Sequence, residues 1–173
     1  GYPQEENAPY GIAKRIMHTH SIGYRKQYDL NSIMVVLTNL YGPNDNFNRD
    51  SSHVVAALIR RFYEAKKNNE KEVLVWGDGS ATRDFSYIED IAEGIILSAE
   101  NYNESLPINL ASGRETSIKE LVEIIKNQMN YNGMIRWDSD MPVGPNRRNV
   151  SIDLAQKKIK FNPKVSLEDG IKR

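Results

Sequence analysis

The chain has 173 residues, enough for one domain with a real core or for a large part of a two-domain protein. Its 23 lysines and arginines balance 23 aspartates and glutamates, so no overall field draws it to nucleic acid or to an anionic membrane, and any basic site must be local. The absence of cysteine excludes disulfides, thiolate metal sites and a cysteine nucleophile within these residues, and three histidines without an H-E-x-x-H pattern make a zinc site unexpected.

Taken in chain order, Asn7 is a good N-cap and Pro9 a good first-turn residue, so a helix is predicted to begin here and to run through Arg15, Met17 and Ile22 toward Tyr28. Within it, Y-G-I-A-K sets Tyr10 and Lys14 one turn apart on one face. A neighbouring ammonium favours the ionised form of a phenol, so such a pair could exchange a proton with a carbonyl or carbinol oxygen near neutral pH. The same spacing is also a common accident, a Tyr ring packed on an exposed Lys stem. Residues 32–37 form an apolar, β-branched run, predicted as a strand buried on both faces. A helix followed by such a strand implies an α/β sheet. Thr38 to Pro43 follow at the strand's carboxyl end, where open α/β sheets hold their ligands. Asn39 is there either for a ligand or as a turn residue bonding its own backbone.

Residues 44–52 read as a polar loop carrying Phe47, and Ser52 is predicted to cap a helix over 53–68 with an apolar face of Val54, Val55, Leu58, Ile59 and Phe62. On it, Arg60 and Arg61 are either a solvated face or forked donors for a diphosphate. His53, in the first turn, is either a bystander or an acid/base group. Residues 73–76 and 83–87 read as short strands about a turn at 77–80, a small β-element outside the main sheet. Trp76 and Arg83 flank that turn, as a core Trp and a surface Arg, or as an apolar platform beside a phosphate fork.

Residues 88–100 have helical period with Glu89 and Asp90 early, and 107–111 is another buried-type strand, ended by Ser112 and Gly113. Thr116 or Ser117 with Glu120 has the form of a capping box opening a helix to about Met129. A short strand at 134–137 leads to a loop at 141–149 holding Pro142, Gly144, Pro145, Arg147 and Arg148, whose adjacent arginines are either solvated or an anion clamp. The chain opens directly into one helix and stops at what reads as the start of another, at 166–171, as expected of a piece of a longer protein. With no apolar run long enough to span a bilayer and no signal-peptide pattern, it reads as soluble and cytoplasmic.

The segments P-Y-G-I-A-K, T-N-L-Y-G-P-N-D-N-F, S-S-H-V-V-A-A-L-I-R-R-F, V-W-G-D-G-S-A-T-R-D-F and I-N-L-A-S-G, in this order, resemble the extended short-chain dehydrogenase/reductase family. Within it they are most similar to the NADPH-dependent enzymes that epimerise and reduce GDP-4-keto-6-deoxy-mannose. N-L-Y-G-P is shared by many nucleotide-sugar enzymes, whereas the D-N-F and S-S-H-V-x-x-A-L-I-R-R-F stretch discriminates. The resemblance implies an α/β fold, the carboxyl part of a Rossmann-like doubly wound sheet plus a small α+β substrate-binding subdomain. Residues 1–42 would end the dinucleotide-binding domain, 43–173 would be mainly substrate-binding, and 88–112 would return a helix and strand to the Rossmann-like sheet.

By the same resemblance, Tyr10 protonates O4 of the sugar as hydride arrives, and Lys14 holds the cofactor ribose while biasing Tyr10. Asn39 and Leu40 would lie beside nicotinamide and sugar, His53 would match the acid/base histidine that works with a cysteine at C3 and C5, and Arg61, Trp76, Arg83 and Arg148 would surround the GDP. The cofactor implied is NADP(H), the substrate a GDP-sugar, and the assembly a homodimer through the Tyr10 helix. This chain does not contain the family's glycine-rich turn, its catalytic serine or threonine, or its cysteine. Arg148 stands where a lysine is usual, and the loop before it reads M-P-V-G-P-N-R-R in place of a D-G-T-P-R-K type. Arg serves a phosphate as well as Lys but with forked geometry. Two other readings stay open: an epimerase or reductase of another GDP-deoxysugar or GDP-heptose, in which His53 is idle, and a non-catalytic sugar-nucleotide-binding module.

Overall fold

The computed structural model describes residues 3, 5–141 and 144–173; Pro142, named above, lies outside them. A 3-10 turn at Glu5–Asn7 leads into α1 (Ala8–Tyr28), followed by β1 (Val35–Leu37), β2 (Asn39–Tyr41), α2 (Val54–Lys67), β3 (Glu72–Trp76) and β4 (Thr82–Tyr87). Then come α3 (Ile88–Asn101), β5 (Ile108–Leu110), β6 (Glu115–Ser117), α4 (Ile118–Gln128), β7 (Met134–Asp138), β8 (Arg147–Arg148), α5 (Asp153–Ile159) and α6 (Leu167–Lys172).

The α/β class expected from the sequence is the one found, with the strands of the described residues divided among three sheets. β1 runs parallel to β5, with Val35 opposite Ile108, and β3 runs parallel to β7, with Val73 opposite Ile135. β4 joins the third sheet: its second half pairs parallel with β2, and its first half pairs antiparallel with β6 and parallel with β8. The expectation of one small β-element built from 73–76 and 83–87 is therefore corrected, since β3 and β4 do not pair with each other. The local reason is the intervening turn. Gly77 and Gly79 both have positive φ, 81° and 80°, and the amide of Gly77 donates to Asp138 of β7 at 2.7 Å, which sends the chain away instead of folding it back.

Two apolar clusters hold these layers. The larger gathers α2, α4 and the strands between them around Phe62, Val73, Phe85, Leu121 and Ile125; the smaller packs Ile91, Ile108, Leu110, Ala155 and Phe161 between α3, β5 and α5. Burying each such large side chain is worth about 1.5–3 kcal/mol. By contrast, α1 buries only Ala8 and is tied down by polar contacts: Arg25 donates to Ser32 O at 2.7 Å and to Asn103 at 2.8 Å, and His18 Nε2 is 3.0 Å from Ser105 O.

Several local expectations change. Of residues 32–37 only the last three form a strand, and Leu37 is exposed where burial on both faces was expected. Asn39 lies in a strand, not a turn, and its side chain donates to Asp84 O at 2.9 Å. The N-cap of α2 is His53, and the Ser52 hydroxyl is buried with no partner among the described residues. The capping box is half made: Ser117 Oγ accepts from the Glu120 amide at 3.0 Å, but the Glu120 carboxylate turns to Arg114 at 2.6 Å. β2 and β8 stand in stretches expected to be turn and loop, and β6 and α5 were not foreseen at all. Among the described residues no helix is long and apolar enough to cross a membrane, and no cluster of three or more His, Asp or Glu side chains could hold a metal.

Candidate functional site

A cavity of about 690 Å³ opens between the start of α2, the turn after β3 and the segment leading into β8. Asn39 from β2, Arg61 from α2, Trp76 from the end of β3 and Arg83 from β4 all line it. Its floor is the 77–81 turn, pinned by Asp78, whose carboxylate accepts the amide of Ser80 at 2.9 Å and its hydroxyl at 2.7 Å; the hydroxyl bond, then the amide bond, holds that carboxyl below its usual range. A Cβ on Gly79 would stand 2.7 Å from the Trp137 ring, so only glycine lets this turn lie against β7.

Among the charged residues lining the cavity, Arg49, Arg61 and Arg83 outnumber Asp50 and Asp78. The Arg61 guanidinium lies over the exposed Trp76 ring, 5.2 Å from its centre, and donates to Leu74 O at 3.2 Å. Burial, then the charges of Arg60 and Arg49, lowers the Arg61 pKa; burial, then the charge of Arg148, lowers that of Arg83. Both start so high that they stay cationic at any working pH. Arg83 and Arg148 are partners in the β4–β8 ladder. Arg147 faces elsewhere, donating to Glu115 through Nε at 2.8 Å and Nη2 at 2.7 Å. The adjacent arginines of the loop thus divide, one held by a carboxylate and one beside the cavity's own arginine.

A buried carboxylate ties these strands together. Asp84, with no exposed surface, accepts through Oδ1 from Thr38, Ser86 and the Ser112 amide, and through Oδ2 from the Gly113 amide at 2.9 Å. It joins the β1–β2 junction, β4 and the turn after β5, holding Asn39 and Arg83 on a common frame.

The remaining predicted residues stand apart from the cavity lining, and so does Arg148, which is exposed in β8 opposite Arg83. His53 is exposed at the start of α2, between Ser52 and Val54, which do line it. Leu40 lines a separate hollow of about 220 Å³ with Gly42, Pro43 and Ile88. Tyr10 is 69% exposed on α1, with Lys14 Nζ 5.3 Å from its ring centre, so the pair shares a face as its spacing requires. The sequence reading missed Arg49, Asp50 and Ser52 as cavity residues. Their only local signal was a run of short polar residues, in which asparagine side chains at 46 and 48 bond amides two residues on and fold the loop against α2.

The model of the NAD dependent epimerase/dehydratase family matches residues 1–111. The chain belongs to that family. Among NAD dependent epimerase/dehydratase relatives, it is 40% identical over 165 residues to "Probable GDP-L-fucose synthase 1" of Oryza sativa subsp. japonica and 41% identical over 166 residues to "GDP-L-fucose synthase 1" of Arabidopsis thaliana. Each alignment takes in 95% of this chain but 50% and 51% of the respective relative, so the chain spans about half the length of the curated relatives it matches. The crystal structure of a GDP-L-fucose synthetase from Naegleria fowleri bound to NADP superposes with a TM-score of 0.90 at 28% identity, covering 99% of this chain and 56% of that one. The Rossmann-like α/β fold expected from the sequence is the fold of this epimerase/dehydratase chain and of that neighbour.

Proposed function

We propose that the protein carrying this chain is a nucleotide-sugar 3,5-epimerase/4-reductase that converts GDP-4-keto-6-deoxy-D-mannose to GDP-L-fucose with NADP(H). The observation that carries the reading is the cavity that Arg61, Arg83 and Trp76 all line, with the Arg61 guanidinium over the Trp76 ring. That is the donor set for a diphosphate with a planar base, and the relatives named above act on a GDP-sugar by their names.

Residues 1–42 supply the end of the dinucleotide-binding domain and 43–173 mainly the substrate-binding part, with α3 and β5 returning to the first. An exposed phenol and ammonium side by side on α1 suit a ribose and a reacting oxygen, so Tyr10 and Lys14, with Asn39 and Leu40, are the residues here that would hold NADP(H). When bound, the cofactor supplies hydride to C4 of the keto sugar. Tyr10 hands its phenolic proton to O4, and Lys14, one turn away with its ammonium 5.3 Å from the ring centre, keeps the phenol oriented. Protons beside a 4-keto group are acidic enough for modest bases when the oxygen is held, and His53 is the group here that exchanges them. Arg61, Trp76, Arg83 and Arg148 bind the GDP. The apolar, exposed Ile12, Ile16 and Met17 of α1 support a homodimer through this helix.

The complete protein, given the 4-keto sugar and NADPH, tests the reading. Tyr10→Phe should slow reduction by about 10²-fold or more while leaving GDP affinity nearly intact. Reduction at near the parent rate would overturn the assignment. The 173 residues by themselves should not oxidise NADPH, because the phosphate-cradling turn is not encoded in them.

A further inference from the structure

Glu115 lies outside the cavity, yet its bonds converge on the segment that forms the cavity's rim. Besides the fork from Arg147, its carboxylate accepts from Thr82 Oγ1 at 2.5 Å and from Asn149 Nδ2 at 3.3 Å. Main-chain bonds fix the same register: the Thr82 amide donates to Asn146 O at 2.8 Å, and β8 runs beside β4 with Thr82 opposite Arg147 and Arg83 opposite Arg148. Successive strand residues face opposite ways. Thr82 and Arg147 therefore share the Glu115 side, and Arg83 and Arg148 share the other, where Arg83, Gly144 and Asn146 line the cavity. A Cβ on Gly144 would come within 3.0 Å of Arg83 Nη2, so the segment rests directly against that guanidinium.

Two like charges set side by side oppose this register, and something must hold the segment down. On the reading that the cavity takes a nucleoside diphosphate, we infer that Glu115 is a positioning residue: by gripping Arg147 it keeps Arg148 opposite Arg83, so that both guanidiniums meet one diphosphate. The forked carboxylate–guanidinium bond is the geometry suited to that task, because two parallel bonds fix orientation as well as distance. Coulomb's law alone would give the opposite sign, since removing a carboxylate from beside an anion site strengthens anion binding. Glu115 is only half-buried and its main partner Arg147 is exposed, so Glu115→Ala should cost a modest amount of stability and still fold.

The test is GDP titration by calorimetry into the complete protein and its Glu115→Ala, Arg148→Ala and doubly substituted forms, with UDP in parallel, well below each melting temperature. Glu115→Ala and Arg148→Ala should each weaken binding by about tenfold, and the double variant should bind no more weakly than Arg148→Ala, as for residues acting through one contact. A purely stabilising contact would leave the affinity of folded protein unmoved. Unchanged or tighter binding by Glu115→Ala, or losses that add, would overturn the inference while leaving the proposed function standing. A parent that binds UDP and not GDP would overturn the GDP assignment, and the same cycle run with UDP would still decide the role of Glu115. A parent that binds neither would overturn both.

Discussion

Arg83 and Arg148 stand opposite each other in the parallel ladder of β4 and β8, and after burial it is the charge of Arg148 that most lowers the pKa of Arg83. Paired like charges cost the ligand-free protein something and reward a ligand that neutralises both. Arg148→Ala should therefore leave the ligand-free protein as stable as the parent or more so by up to about 1 kcal/mol, while weakening pyrophosphate binding about tenfold. Melting curves with and without pyrophosphate check both signs; a destabilised variant with full pyrophosphate affinity would contradict them.

Trp76 is 45% exposed and lines the cavity under Arg61, whereas Trp137 packs against the 77–81 turn and the larger core cluster. In a Trp137→Phe background the fluorescence of Trp76 should be quenched by GDP, and Trp76→Ala should weaken GDP by about 1–2 kcal/mol through loss of stacking. Saturable quenching that survives removal of Trp76 would refute the platform role.

His53 caps α2 with its backbone and makes no side-chain capping bond, so its replacement should cost little stability, within about 0.5 kcal/mol. His53→Gln in the complete enzyme should nevertheless slow solvent-deuterium exchange at C3 and C5 of the 4-keto sugar by about a hundredfold, with reduction affected less. Unchanged exchange in the folded variant would favour a simple reductase in which His53 is idle.

Gly94 sits in α3 where a Cβ would meet the Phe161 ring at 2.8 Å and Leu110 Cδ1 at 2.9 Å. Helix propensity alone gains about 1 kcal/mol from Gly94→Ala, but overpacking a closed core costs about 1–3 kcal/mol, and both neighbours are fully enclosed. Packing should win, giving a net loss of about 1 kcal/mol or more in urea unfolding. A stabilised variant would show that this contact yields.

Burial, reinforced by the charges of Tyr87, Asp90, Glu168 and Asp169, pushes the Tyr41 phenol well above its ordinary value. The unfolded chain then ionises first as pH rises, so the contribution of Tyr41 is full below pH of about 10 and is lost progressively above it. Tyr41→Phe removes that loss at small cost near neutrality, because the bond from its hydroxyl to Ser166 O is a long 3.4 Å. Chemical unfolding at about pH 8 and about pH 11 should show a shallower alkaline fall in the variant. A residual slope remains from Tyr102 and Tyr131, both raised chiefly by burial.

Local sequence determined the long helices and the Tyr10–Lys14 relationship, because a helix fixes which side chains share a face without help from the rest of the molecule. It also determined α2, where the apolar period of Val55, Leu58 and Phe62 leaves Arg61 on a flank of the buried face. Ser52 was misread as the cap because the pattern that favours a capping serine at 52 serves equally well for a helix that starts one residue later. Strand partners were decided only by tertiary structure. The runs at 73–76 and 83–87 are equally strand-like alone or paired, and the long-range register with β7, β2, β6 and β8 separates them. The same holds for the site. Arg147 and Arg148 are chemically identical neighbours, and only the pairing of β8 with β4 gives one to Glu115, thirty-two residues away, and sets the other opposite Arg83. Spacing within a helix is carried by local backbone geometry, whereas strand register is set by contacts between distant segments, and no local pattern encodes those.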